Sequence, residues 1–437
     1  MKFYLSLLYP FLCFLFILFP SFYVYVVFED QVAFTLLVIS IVSIIFFSLG
    51  NLAPYLIGLK ASRVIQKSGY SKVANKNRAF VLILFFLLLY ILAYLILIFD
   101  YGGLPLLKFF TEGGYPNALR ADFYKEKTGV IKLAVYIRSI IGKGVLPIAF
   151  PFLYVFKRQY FYLVFFIYLG ISLMSFEKSM ILWSVIPMLS FMFLYKKYLK
   201  VSQLLFLLAF VVILSNIFQT SDDMSANLQS KELICSAVIN SERCVTVPAY
   251  LYSIGKVYNL SSDLSHVSLT QDTNYRFYID QLLGSNSLSF LLNRILWTPF
   301  VTAYDTILYW ELNYNSEYIG FGFNRYLSAL FQQEFADLER NVFRFQYGGG
   351  IYSTGNANSI FIVELYLAAG VSFVCLISFI FGLIQGAIFK YSNPIFISAF
   401  MVYPYALISA SFVSMFFSGG ILFFLFIYFV VRYKVKF

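Results

Sequence analysis

Long apolar runs, almost never interrupted by charge, dominate this chain. Runs suited to crossing a bilayer fall at about 3–28, 31–58, 79–99, 133–156, 160–176, 180–195, 201–218, 360–389, 394–417 and 419–431. Hydrocarbon offers the backbone no hydrogen-bond partners, so runs of about 20 such residues must satisfy their own N–H and C=O groups as helices. Only 12% of the residues are charged and 61% are hydrophobic, against about 25% charged in a soluble domain. The expected fold is an all-α polytopic membrane protein with about ten transmembrane helices, ten to twelve being compatible with the runs. The N-terminal run meets no small-residue cleavage site and reads as a retained helix.

Charge orients these helices. The stretch 59–78 carries Lys60, Arg63, Lys67, Lys72, Lys76 and Arg78 and no acid. Lys157 and Arg158, then Lys196, Lys197 and Lys200, then Lys390 mark further turns on the same side, together with Lys2 and the tail bases Arg432, Lys434 and Lys436. Every acid lies in the opposite loops or in runs near them. Basic residues gather in cytoplasmic loops, so both termini are expected in the cytoplasm. The net charge of +11 is absorbed by this bias and asks for no nucleic-acid partner.

Two loops face the other side. One, about 100–132, joins the early helices. The second, about 219–358, separates a first block of seven helices (1–218) from a last block of three (359–437). It holds thirteen acids and eight bases. Short helices are expected there, with 287–312 forming one or two amphipathic helices on the outer membrane surface or against the bundle. Cys235 and Cys244 share this loop, where they form either a structural disulfide or two free thiols.

Several side chains carry chemistry. Arg138 and Lys143 lie within the run 133–156. Either they belong to a surface helix before a span that starts near Val145, or Arg138 faces a polar cavity where its fork binds a phosphate. Arg294 sits among Leu291, Leu292, Ile295 and Leu296 and needs an anion, either Asp305 or Glu311 or a ligand phosphate. Arg120, Arg325, Arg340 and Arg344 are further candidates for phosphate. His266, the single histidine, is either a surface residue or catalytic. It and the two loop cysteines match no common zinc spacing. There is no Gly-x-x-x-x-Gly-Lys-[ST] loop and no Gly-x-Ser-x-Gly elbow, so neither an ATPase nor a serine hydrolase is supported, and no cofactor is expected.

The stretch Tyr347–Gly370 combines a glycine-rich loop with an apolar run carrying Glu364. A helix start of this kind, with Asn358 or Ser359 as N-cap, favours anions. A carboxylate inside a span needs compensation, and Glu364 is read either as a base that takes a hydroxyl proton or as a partner of one of the arginines.

The layout, with a large external loop before the last three helices, the segment Leu292-Asn293-Arg294-Ile295, and the glycine-rich loop entering Ser359-Ile-Phe-Ile-Val-Glu364-Leu-Tyr-Leu-Ala-Ala-Gly370 resemble the bacterial O-antigen or oligosaccharide repeat-unit polymerases (Wzy-type). The arginine–glycine spacing described for some members does not start from Arg120, Arg138 or Arg294, so no role is carried over by that pattern. The resemblance implies a C-type membrane glycosyltransferase of the bacterial inner membrane, acting in lipopolysaccharide biosynthesis. It would move a growing glycan en bloc from undecaprenyl pyrophosphate to the non-reducing end of a new lipid-linked repeat unit at the periplasmic face. It also implies a pathway flippase and a chain-length regulator as partners. Pyrophosphate would meet Arg138, Arg294 and Arg340 or Arg344, and the acceptor hydroxyl Glu364 or His266. An O-antigen ligase shares the layout and donor, and a lipid-linked oligosaccharide flippase is the reading from a different class.

Overall fold

A computed structural model describes residues 5–57, 76–113, 116–124, 127–206, 298–347, 357, 360–416 and 419–432. The described residues are all-helical and contain no strand. Leu8–Cys13, a π-helical turn Phe14–Leu18 and Phe19–Phe28 run on as α1. The following helices are α2 (Gln31–Leu56), α3 (Lys76–Tyr101), the short α4 (Pro105–Glu112) and α5 (Pro116–Tyr124), α6 (Gly129–Phe156), α7 (Arg158–Met174) and α8 (Lys178–Leu194). After the stretch 207–297 come α9 (Thr298–Tyr314), α10 (Arg325–Phe331), α11 (Leu338–Tyr347), α12 (Phe361–Tyr391), α13 (Pro394–Ser409), α14 (Phe412–Phe416) and α15 (Ile421–Arg432).

Among the described residues, five helices, α1, α2, α3, α6 and α12, are long and apolar enough to cross a membrane, and four shorter apolar helices accompany them. Their outer faces carry large bare hydrophobic side chains, among them Leu56, Leu88 and Phe99. Water would penalise so much exposed apolar surface, whereas lipid does not. This is a helical membrane protein. The expected run 201–218 is described only through residue 206, as helix.

The core is organised by α2 and α12. Ser43 Oγ lies 2.8 Å from Ser378 Oγ and 2.6 Å from Tyr9 Oη. Lys390 Nζ donates to the Pro54 carbonyl at 2.6 Å. Contacts therefore advance in the same direction along both helices, so the pair is parallel. Gly50, Gly382 and Gly386 make the approach possible: a Cβ on any of them would collide with the partner's backbone, at Phe379, Phe47 and Asn51 respectively. The spacing of Gly382 and Gly386 is the small-xxx-small pattern that lets membrane helices pack backbone to backbone.

Of the two positions expected for the helices of 287–312, α9 takes the one against the bundle. Helix α9 buries Phe300, Tyr304, Ile307 and Trp310 against the bundle, and Tyr304 Oη donates to Asp30 Oδ2 at 2.6 Å. Asp30 also caps α2 by accepting from the Ala33 N–H at 2.7 Å. One carboxylate thus fixes the start of a spanning helix and anchors the loop to it.

Two apolar helical segments are broken. In α12, Ala369 and Gly370 leave helical geometry, with φ +75° at Gly370, and divide a short segment Phe361–Ala368 from the long remainder. The Leu367 carbonyl accepts from the Ile319 N–H of the loop at 2.9 Å, so the break is stitched to the segment before α10. Between α13 and α14 the chain is extended at Ala410. The helix start of α12 also differs from expectation: its N-cap is Ile360, with no side-chain cap, rather than Asn358 or Ser359. Ile360 is buried, so packing fixes this start where a polar cap would have placed it earlier.

Candidate functional site

The side chains brought together around Arg138 form the most concentrated polar site in the described bundle. Arg138 and Lys143 stand on one continuous helix, α6, and Gly142, Gly144 and Val145 around the lysine are buried. Residues Ile141–Val145 form a π-helical turn. Such a turn closes hydrogen bonds from i to i+5, and Lys143 stands at its centre. Gly142 admits the close approach of Met180 and of the Tyr90 ring, and Gly144 that of Gly420.

Arg138 is buried and ion-pairs through Nη1 with Glu177 Oε2. The same nitrogen donates to Tyr94 Oη at 3.3 Å, and Tyr94 Oη donates to Glu177 Oε2 at 2.8 Å. The guanidinium lies 4.1 Å from the Tyr124 ring centroid and 5.6 Å from that of Tyr94, within cation–π range. Glu177 occupies the turn between α7 and α8. Burial pushes its carboxyl up, but Arg138 and the hydrogen bonds from Arg138 and Tyr94 outweigh burial and hold it below its ordinary value. Tyr90 packs at 5.1 Å from Tyr94 and 5.7 Å from Tyr168, ring to ring. Lys143 Nζ lies 5.8 Å from the Trp183 ring.

Eighteen residues separate Arg138 from Phe156 at the end of α6, about 27 Å at 1.5 Å per residue. With Lys157 at one interface, Arg138 falls near the other face of a hydrocarbon layer about 30 Å thick. Glu177, Asp30 and Asp100 also lie at helix ends away from Lys157, Lys197 and Lys390.

Glu364 is in a different environment. It is buried in the first turn of α12, and its Oε2 accepts from the Phe412 N–H at 2.6 Å. It therefore satisfies a backbone donor freed by the α13–α14 break. Helix α6 packs on α3, α7, α8 and α13, while α12 packs on α2, α9 and α13, so α13 stands between the two carboxylate sites. Beside the α12 break, Trp310, Tyr318 and Tyr366 form an aromatic cluster with centroids 5.7–6.4 Å apart. Tyr318 is 59% exposed, and Trp310 Nε1 donates to the Glu317 carbonyl at 2.7 Å.

The remaining candidates are dispersed. Arg120 is half-buried on α5. Arg325 and Arg340 are exposed on α10 and α11, and Arg340 makes no ion pair among the described residues. Arg344 is on α11, its side chain outside the described set. Arg294, His266, Cys235, Cys244 and the glycine tract 348–350 lie outside the described residues.

Sequence reasoning missed Glu177 and the tyrosines. The available signals were an acid isolated in a three-residue turn between apolar runs, Ser175-Phe176-Glu177, and the spacing of Tyr90 and Tyr94, which puts both on one helical face. No protein-family model, curated protein or solved structure matches this chain.

Proposed function

We propose that this chain is a membrane glycosyltransferase of the repeat-unit polymerase type, transferring a glycan from a lipid pyrophosphate donor to a lipid-linked acceptor at the outer face. The observation that carries the reading is the Arg138–Glu177–Lys143 cluster. Two cations and one carboxylate leave one positive charge in excess near one end of the helices, and a pyrophosphate leaving group needs such charge where it departs. The partly exposed Tyr318 beside Trp310 and Tyr366 supports it further, because flat aromatic faces suit stacking against sugar rings. Glu364 stays a candidate for the acceptor base, acting through the same carboxylate that now holds the Phe412 N–H.

The topology belongs to the proposal. Parallel pairing of α2 and α12 requires an odd number of crossings between them. Helices α3, α6, α7 and α8 supply four, and a fifth starting within the helical residues 198–206 completes ten crossings with both termini in the cytoplasm of a bacterial inner membrane.

The broken helices α12 and α13–α14 favour a second reading, a lipid-linked oligosaccharide transporter, since transporters build substrate sites from interrupted helices. One assay separates the two. Purified protein in lipid nanodiscs is incubated with a synthetic undecaprenyl-pyrophosphate-linked repeat unit, and the products are run on a gel. A ladder of multiples is expected; unchanged single units from folded, monodisperse protein overturn the polymerase reading. A ligase would yield a product only when lipid A core is added.

A further inference from the structure

We infer that Lys143, and not Arg138, is the side chain that contacts a phosphate oxyanion in the bundle, with Arg138 acting as a positioning residue. The charge balance of the cluster points there. Arg138 is matched by Glu177 through an ion pair and by the Tyr94 hydroxyl, so its charge is compensated. Lys143 lies within electrostatic range of both and has no ion-pair partner among the described residues. Its nearest interaction is the Trp183 ring. Lys143 is half-buried between buried Gly142 and Gly144, and a partly desolvated lysine within an apolar helix is stabilised by an accompanying anion.

Two further features converge on the same place. Arg138 Nε and the Tyr90 hydroxyl are buried and have no hydrogen-bond partner. Arg138 itself is only 6% exposed. The Tyr90 ring packs against the π-turn that presents Lys143. A cation and two unpartnered donors thus stand on neighbouring turns of α6 and α3, and an oxyanion held by Lys143 is the ligand whose acceptor oxygens complement such a set. π-turns of this kind commonly mark functional positions. The ligand class is a phosphate or diphosphate, either free or as the head of a polyprenyl lipid. Its identification as a lipid-linked diphosphate rests on the polymerase reading, whereas the oxyanion site does not.

Trp183 provides the readout. The chain has three tryptophans, so Trp297→Phe and Trp310→Phe leave Trp183 as the reporter. Full-length protein in nanodiscs is titrated with inorganic pyrophosphate in one arm, and a farnesyl pyrophosphate-containing bilayer is compared with a bilayer lacking it in the other. Saturable change in Trp183 emission is expected. Lys143→Arg retains the affinity within about threefold, and Lys143→Gln weakens it by about tenfold or more. Equal affinity in Lys143→Gln and the parent overturns the proposal, as does the absence of binding in both arms. Binding of inorganic pyrophosphate alone keeps the site and assigns it to a free anion. Should Lys143→Gln not be recovered as a monodisperse species, Lys143→His substitutes: binding at pH 5.5 that disappears at pH 8 supports the inference, and binding that is equal at both overturns it. If binding depends on Lys143 while no glycan ladder forms, the oxyanion site stands and the polymerase reading falls.

Discussion

Arg138 and Glu177 meet in a region where neither tolerates solitude. Removing one partner leaves the other as an unmatched buried charge, which costs about 3–5 kcal/mol, while replacing both with apolar residues is often nearly neutral. Glu177→Ala is therefore expected to lower the thermal unfolding midpoint in detergent sharply, and Arg138→Met with Glu177→Leu to recover most of the loss; a double variant as unstable as the single would contradict this. The pair also sets an acid limit. Because the folded carboxyl sits below its ordinary value, its stabilisation is present above the unfolded value of about 4.3 and disappears as pH falls through the folded one. The wild-type melting temperature should thus fall along a limb below about pH 4 that the double variant lacks. Arg138 was legible in the sequence as a base out of place in an apolar run. Its partner was not, because Glu177 is 39 residues away and only the antiparallel return of α7 and α8 brings that turn beside α6.

At the scale of elements, the unusual helices are the informative ones. The α2–α12 contact has no room for side chains at Gly382 and Gly386. Gly382→Val should separate the pair and destabilise the fold by about 1–3 kcal/mol or more, seen as early aggregation on heating, whereas Val371→Ala on the exposed side of the same helix should change little. At Gly370 two effects superpose. Its backbone lies in a region reserved for glycine, and an added Cβ would stand 2.6 Å from Tyr318 Oη. Gly370→Ala is expected to cost about 1–3 kcal/mol from backbone strain, and trimming Tyr318 to alanine should relieve only the contact part; complete rescue by that second substitution would show the strain to be absent. Apolar periodicity located α12 and α13 but gave no sign of their interruptions, since residues 360–389 and 394–417 read as uninterrupted hydrophobic runs. The breaks depend on tertiary partners: the Ile319 N–H at Leu367 and the Glu364 carboxylate at Phe412.

For the whole molecule, composition and loop charge were sufficient to announce a helical membrane protein, because a chain this apolar has no other way to satisfy its backbone. They left open whether the helices of 287–312 lie on the membrane surface or against the bundle, and for α9 the contact of Tyr304 with Asp30 across 274 residues decides it. Orientation is open to direct measurement. In a background with the four cysteines replaced by serine, Thr111→Cys should react with a membrane-impermeant maleimide added to spheroplasts, and Lys196→Cys only after permeabilisation; the reverse pattern would invert the topology. The parallel pairing of α2 with α12 also places an order on biogenesis. Ser43 waits for Ser378, 335 residues later in the chain. At roughly 5–20 residues per second of synthesis, that delay is on the order of tens of seconds. Throughout it, the glycine face of α2 stands in lipid without its mate, so an early fragment of this protein is a helix pair missing its closing half. Co-expression of two fragments divided within 219–297 should then restore what either half alone lacks.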